Sequence, residues 1–177
     1  AWGWEPTTIA DIKAYKPKST SISNSQILFD DYSYENARIV LIEMVDNIIL
    51  QLVSQKQYTS SIKVIIGYSK DKIPPLTITI KLEQATSSYN IILNKVLEEY
   101  DFRINQYIPI RRIGICLGKL EDKLIEQLDL FSVHEIKEKD LRIEMAMNEI
   151  KNKYGKNSIL RGISYDPSAT QMKRNCM

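Results

Sequence analysis

The chain has 177 residues, 44% hydrophobic and 26% charged, with a formal net charge of +2: an ordinary soluble composition, long enough for one domain and an added segment, whose charge alone argues for no nucleic-acid partner. One histidine, His134, and two distant cysteines, Cys116 and Cys176, argue against a histidine metal site, a Ser-His-Asp triad or a disulfide framework, and indicate a reducing, cytoplasmic compartment. No apolar run approaches the ~20 residues of a membrane helix, no signal peptide is read, and the opening Ala1-Trp2-Gly3-Trp4 reads as a cut from something longer.

Residues 1–18 read as the end of a preceding element followed by a tether. Ile9, Ile12 and Lys13 fit one short helix capped by Thr7 or Thr8. Lys16-Pro17-Lys18-Ser19 is basic and broken by proline, and two readings stay open: a solvated linker, or a segment lying along phosphates. Ser19 to Leu28 alternates weakly and is expected as a strand whose small polar side chains and free amides suit a phosphate chain. Asp30-Asp31-Tyr32-Ser33 is expected as a turn and helix start. From Tyr34 to about Gln57, Ala37, Val40, Leu41, Met44, Val45, Ile48, Ile49 and Leu52 repeat at helical spacing, a long core helix read as carrying no constellation of polar groups. A strand follows over Ser61 to Ser69, with Lys63, Ile65 and Gly67 on one face. After a turn from Lys70 to Pro75, Leu76 to Leu82 puts Leu76, Ile78, Ile80 and Leu82 inward and Thr77, Thr79 and Lys81 outward. A second helix starts near Ser87 and carries Tyr89, Ile92, Leu93, Val96, Leu97 and Tyr100 at helical spacing.

A last strand, Arg111 to Leu117, closes the unit. Ile113, Ile115 and Leu117 alternate with Arg112, Gly114 and Cys116, and Pro109 stands where a missing N–H costs no ladder bond. The adjacent Arg111 and Arg112 are expected to put one guanidinium on a sheet face and the other at its rim, while Gly114 and Gly118 leave the strand bare. The order β-α-β-β-α-β over 19–119 predicts an α+β, ferredoxin-like two-layer sandwich, a four-stranded antiparallel sheet with two helices on one face. The other face carries Lys63, Thr77, Thr79, Lys81 and one arginine, with no carboxylate at these positions. It reads either as a plain solvated face or as a surface for a phosphate backbone. RNA recognition by base stacking is disfavoured, because the second and third strands offer no outward aromatic.

Residues 121–140 are acidic and contain Gln127-Leu128-Asp129-Leu130-Phe131. Leu120, Leu124, Leu128 and Phe131 are spaced like one face of a helix packed on the domain. The run Gln-Leu-x-Leu-Phe also matches the pattern by which bacterial proteins bind the sliding clamp. A helix is expected over about 136–154, and the tail from Tyr165 to Met177, poor in apolar residues, is expected to be loosely held.

Several runs together resemble the C-terminal part of a Y-family translesion DNA polymerase of the UmuC/DinB type. They are Trp2-Gly3 with Asp11-Ile12-Lys13; Tyr15 to Ser19; Ser23 to Leu28; Gly67-Tyr68-Ser69; Ile110-Arg111-Arg112-Ile113-Gly114; the Gln127 to Phe131 motif; and the stretch from Asn148 to Arg161. The resemblance implies that 1–18 is the end of a thumb and a basic linker, 19–119 a little finger domain, and 120–177 an extension with the clamp motif at 127–131. It implies DNA contacts from Lys16, Lys18, Ser19, Ser23, Asn24, Lys63, Thr79, Lys81, Arg111 and Arg112, and clamp contacts from Gln127, Leu128, Asp129, Leu130 and Phe131. The implied partners are duplex primer-template DNA and the bacterial sliding clamp, with a recombinase filament or a UmuD-like protein as further ones, in error-prone synthesis under SOS damage tolerance. The family's metal-binding carboxylates belong to a palm domain outside this sequence. Mg²⁺ is therefore expected there, no cofactor is expected in this piece, and alone it should add no nucleotide. A reading of another class is a ferredoxin-like interaction module for the clamp and repair proteins with no direct DNA role, which salt-dependent duplex binding would separate.

Overall fold

A computed structural model describes residues 6–15, 21–69, 73–122 and 133–176, with the backbone alone in 133–138. The first element is built by its cap. The Thr8 hydroxyl accepts from the Asp11 amide at 3.2 Å while Asp11 accepts from the Thr8 amide at 2.8 Å, closing helix α1 (Ile9–Ala14) at its start. There follow β1 (Ile22–Tyr32), α2 (Tyr34–Ser54), β2 (Tyr58–Tyr68), β3 (Leu76–Thr86), α3 (Tyr89–Arg103), β4 (Ile110–Glu121), α4 (Val133–Tyr154), a 3₁₀ turn (Gly162–Tyr165) and α5 (Gln171–Asn175). No helix among the described residues is long and apolar enough to cross a membrane.

The strands form one antiparallel sheet in the order β1-β4-β2-β3. β1 and β2 therefore run parallel with β4 between them, and β4 and β3 run parallel with β2 between them: two split β-α-β units whose crossovers are α2 and α3. Both helices cover the same face because only that face is apolar. Leu28 of β1, Ile62, Val64 and Ile66 of β2, Ile78 and Ile80 of β3, and Ile113, Ile115 and Leu117 of β4 form one cluster with Val40, Leu41, Met44, Ile48 and Ile49 of α2 and Ile92, Val96 and Tyr100 of α3. Each such side chain contributes about 1.5–3 kcal/mol by leaving water. The expected α+β sandwich is the observed one.

Element ends differ from expectation where local chemistry intervenes. Asp30 and Asp31, expected in a turn, stay extended, because beyond a bulge after Ile27 the strand pairs again at Tyr32 with Ile110. Ser33 then caps α2, accepting from the Asn36 amide at 3.3 Å. That helix stops at Ser54 rather than Gln57. Lys56 turns left-handed (φ 55°), and the amides of Lys56 and Gln57 bond back to the carbonyls of Val53 and Leu52 at 3.0 and 3.1 Å, so β2 starts at once. β4 runs on to Glu121, which puts Leu120 in a strand opposite Thr59 and removes the first member of the alternative helical face. The others, Leu124, Leu128 and Phe131, lie outside the described residues.

Two expectations fail together on α2 and the tail. The helix does carry buried polar groups, and the tail is pinned to them. Glu43 and Asp46 are 0% and 2% exposed. Asp46 Oδ1 accepts from Arg161 Nε at 2.5 Å, and Arg161 Nη2 donates to Glu144 Oε1 on α4. The guanidinium lies 3.6 Å from the centre of the Tyr89 ring. Glu43 accepts from the amides of Thr170 and Gln171 at 2.7 and 3.1 Å, and the Thr170 hydroxyl donates to Gln26 Oε1 of β1 at 3.2 Å. Asp140 of α4 accepts from the Ser88 hydroxyl at 2.6 Å, at the start of α3. Met147 is buried, and Asn148 Nδ2 donates to the Leu50 carbonyl at 2.9 Å. Polar anchors, beside the buried Met147 and the half-buried Leu141, hold this extension, and the tail from Tyr165 is held by polar anchors.

Burial raises the Glu144 carboxyl above its ordinary value, more than Arg161 lowers it. Burial also works against the charge of Arg161, but the hydrogen bond to Asp46 and the two carboxylates outweigh it, and its pKa is raised. Arg161→Ala should therefore strand the buried Glu144 carboxylate, leave Asp46 with only Lys151 at 3.7 Å, and destabilise the docked extension by about 3–5 kcal/mol, read by urea denaturation and by hydrogen exchange in α4. A carboxyl raised in the folded state keeps a proton that the unfolded chain has lost, so stability falls as pH rises through the folded value. The loss in Arg161→Ala should shrink as the pH is lowered from about 7 toward the ordinary carboxylate range.

Candidate nucleic-acid interface

The sheet face away from the helices is assembled from every second residue of four strands. The register sets them in four cross-strand rows: Ile27–Arg112–Gly67; Ser25–Gly114–Ile65–Thr77; Ser23–Cys116–Lys63–Thr79; and Gly118–Ser61–Lys81. The rows hold three cations, Lys63, Lys81 and Arg112, and no carboxylate. Ser23, Lys63, Thr79, Lys81 and Arg112 are all exposed. Cys116 is a half-buried free thiol in the third row.

Arg112 owes its place to the residue across from it. A Cβ on Gly67 would lie 3.0 Å from Arg112 Cβ, so only glycine there lets the arginine stem lie over β2 undisturbed. Arg111 is the extra residue of a bulge: Arg112 is opposite Gly67 but Ile110 is opposite Tyr68. The bulge turns Arg111 outward as well, to the rim, where Nη1 lies 3.6 Å from Asp31 Oδ1 and Asp31 in turn accepts from the Ser69 hydroxyl. A Cβ on Gly118 would meet only the Ser61 carbonyl, at 4.0 Å, so that stretch of β4 is bare backbone.

The structure thus gathers five of the ten candidate DNA residues on one face and places Arg111 at its rim. Asn24 does not join them. It shares the helix-facing side of β1 with Ile22, Gln26 and Leu28 and is half-buried there, so only its backbone is at the edge. Lys16, Lys18 and Ser19 lie outside the described residues, as do Gln127, Leu128, Asp129, Leu130 and Phe131. Sequence reasoning missed Ser25 and Ser61, which a period of two counted from Ser23 and Lys63 would have found. It also missed Ile27, an apolar side chain 71% exposed beside Arg112. Beyond the outer edge of β3 the character changes. An open cleft of about 700 Å³ between β3 and α3 is lined by Glu83, Glu98 and Glu99 together with Lys81 and Lys95. Among the described residues no group of three or more His, Cys, Asp or Glu is placed to hold a metal ion.

Residues 19–130 match the impB/mucB/samB family C-terminal domain. The chain belongs to that family. The resemblance to the C-terminal, little finger part of Y-family polymerases is borne out. Among curated proteins the chain is 29% identical over 160 residues to UvrX of Bacillus subtilis (strain 168), a protein named for UV-damage repair, with 87% of this chain and 37% of that one covered. It is 27% identical over 162 residues to DNA polymerase IV of Bacillus velezensis (strain DSM 23117 / BGSC 10A6 / LMG 26770 / FZB42), covering 90% and 38%. The chain therefore spans little more than a third of the length of these relatives. Among solved structures it is similar to the little finger domain of PolIV in its complex with the beta-clamp processivity factor, at 11% identity and a TM-score of 0.46 over 64% of this chain and 100% of that one. It is similar to Dbh DNA polymerase in a post-insertion binary complex, at 14% identity and a TM-score of 0.46 over 64% and 34%.

In this family member the Gly67–Arg112 contact is open to a direct check. Gly67→Ala should push Arg112 from its row, lowering stability by about 1 kcal/mol, as small overpacking changes do. Gly118→Ala, with open space around it, should leave thermal unfolding unchanged.

Proposed function

We propose that this chain is the DNA-gripping and clamp-tethering portion of a translesion DNA polymerase. The observation that carries the reading is the acid-free face of four strands. The chain has 24 Lys and Arg against 22 Asp and Glu, so rows with three cations and no carboxylate are not what its composition would produce by default. Hydroxyls of Ser23, Ser25, Ser61, Thr77 and Thr79 fill the spaces between the cations and donate to phosphate oxygens. Arg112 meets the backbone from the face, and Arg111, steadied by Asp31, meets it from the rim. On this reading Lys16, Lys18 and Ser19, which precede β1 in the sequence, also contact phosphate. Such contacts hold a duplex without reading its bases, which suits an enzyme that must accept damage at any sequence.

Chemistry lies elsewhere on this reading. Glu43, Asp46 and Glu144 are engaged by Arg161 and by the Thr170 and Gln171 amides, so these residues do not fit Mg²⁺. Metal-assisted nucleotidyl transfer belongs to a palm domain in the parent protein. The second task belongs to Gln127, Leu128, Asp129, Leu130 and Phe131, between the end of β4 and the start of α4. Two adjacent apolar anchors with a polar residue to fix orientation are the elements of a pocket-docking peptide.

Duplex binding should be weak and indifferent to sequence, through ~3–5 phosphates, with a slope of log K against log salt of about −3 to −4. Arg112→Ala with Lys63→Ala should weaken binding and flatten that slope in fluorescence anisotropy. A double variant that binds like the parent would remove the sheet face from the DNA surface and favour a pure interaction module. For the motif, a free peptide should bind the bacterial clamp with a Kd of roughly 1 μM to 1 mM, because ordering offsets much of the buried apolar gain. Leu130→Ala with Phe131→Ala should abolish clamp binding in surface plasmon resonance without moving the unfolding temperature of the chain. A large loss of stability would assign these side chains to the core instead.

A further inference from the structure

The two long edges of the sheet differ in charge. At β3 the flanking cleft carries Glu83, Glu98 and Glu99, and Lys95 is paired with Glu98 at 2.9 Å. A phosphate backbone is repelled there. At β1 the exposed Asp30 and Asp31 lie at the C-terminal end, Asp31 beside Arg111, and the neighbour of the N-terminal half is α5. The Thr170 hydroxyl holds its start to Gln26 of β1, and Glu43 takes the Thr170 and Gln171 amides. The helix then runs toward the C-terminal end of α2. Gln171 Nε2 donates to Asn47 Oδ1 at 2.9 Å, and Asn175 shares a polar cleft with Leu50, Gln51 and Ser54. Because α2 returns antiparallel to β1 after Ser33, that direction leads from Gln26 toward Ser23.

One turn after Thr170 come Lys173 and Arg174, and no carboxylate occurs from Pro167 to Cys176. Lys173 is exposed, and its ammonium makes no ion pair with a described residue. Arg174 is half-buried behind it, with Nε and Nη2 lacking any hydrogen-bond partner among the described residues. The buried Glu43 acts on Arg174 through its charge but gives its oxygens to the Thr170 and Gln171 amides and makes no hydrogen bond to Arg174 Nε or Nη2. A B-form major groove is about 8.5 Å deep. A sheet lying in it therefore has one phosphate ridge rising beside its edge strand to the level of the layer behind, which at β1 is α5.

We propose that α5 is a basic flank of the nucleic-acid surface, in which Lys173, with Arg174 behind it, continues the phosphate-contacting track past the outer edge of β1. This rests on the reading of the open face as a DNA surface. The partner chemistry is the phosphodiester backbone of a duplex, met on the β1 side and not on the β3 side.

The test is a salt titration of the whole 177-residue chain with a labelled duplex of arbitrary sequence, comparing the parent, Arg112→Ala, Lys173→Ala and Lys173→Arg. Lys173→Ala should make the slope of log K against log salt shallower by about 0.9, the equivalent of one phosphate, so that the affinity ratio between 50 and 200 mM salt shrinks about threefold. Lys173→Arg should keep the parent slope, and the unfolding temperature of Lys173→Ala should match the parent. If Arg112→Ala flattens the slope and Lys173→Ala does not, the flank is overturned while the sheet reading stands. If Lys173→Ala flattens it and Arg112→Ala does not, the sheet reading fails and α5 alone is supported. A parent chain without salt-dependent duplex binding overturns both.

Discussion

Everything in this domain depends on β4 being two different surfaces at once. It lies between β1 and β2, bonded on both sides. Ile113, Ile115 and Leu117 face the helices, and Arg112, Gly114, Cys116 and Gly118 face outward. A slip of one residue would exchange the two sets along the strand. It would put a guanidinium against α2 and three large apolar side chains in water, at about 1.5–3 kcal/mol for each. That penalty fixes the register, and the register in turn lines up the cations of β2, β3 and β4. The open face is a by-product of the core. The pairing of β4 yields at the Arg111 end, where its register shifts against both β1 and β2 and both arginines come into the open.

The extension is attached by a different physics. The sandwich is held by apolar burial that needs no particular partner atom, whereas α4, the 3₁₀ turn and α5 are placed by a few desolvated charges. Arg161 between Asp46 and Glu144, Glu43 at the start of α5, and Asp140 at the start of α3 each tolerate little displacement. Such groups add modestly to net stability, because their lost hydration offsets much of the attraction, but a misplaced partner is expensive. They therefore act as locating pins.

That division explains what was legible in the sequence. Strand alternation at Leu76–Leu82 and Arg111–Leu117 and the helical stripe of α2 and α3 are local patterns, and they led to the right sandwich and to most of its open face. Glu43 and Asp46 were invisible for the same reason. They sit within the apolar stripe of α2, and nothing in that stripe reveals that Arg161, 115 positions away, closes on Asp46. The tail was misread because composition predicts apolar docking and says nothing of docking by amides and carboxylates. β1 was placed too early, since its ends are set by pairing with β4 and by the Ser33 cap rather than by its own weak alternation. Asn24 was named with Ser23 for its backbone, and the pleat, which turns its side chain to the other layer, leaves that backbone at the sheet edge.

The sheet order also has a consequence for how the chain is made. Synthesis delivers β1 first and β4 last of the strands, yet β1 touches no strand except β4. When β2 and β3 leave the ribosome they can pair as a hairpin, but β1 must wait unpartnered through the synthesis of α2, β2, β3 and α3, its edge amides satisfied only by water. Closing that gap requires contacts between residues far apart in the sequence, the circumstance that slows folding. The strand that carries Arg112 is thus also the one whose arrival completes the sheet. A nascent chain interrupted before residue 110 would possess Lys63 and Lys81 on the β2–β3 hairpin but neither Arg112 nor the strand that joins Ser23 to them.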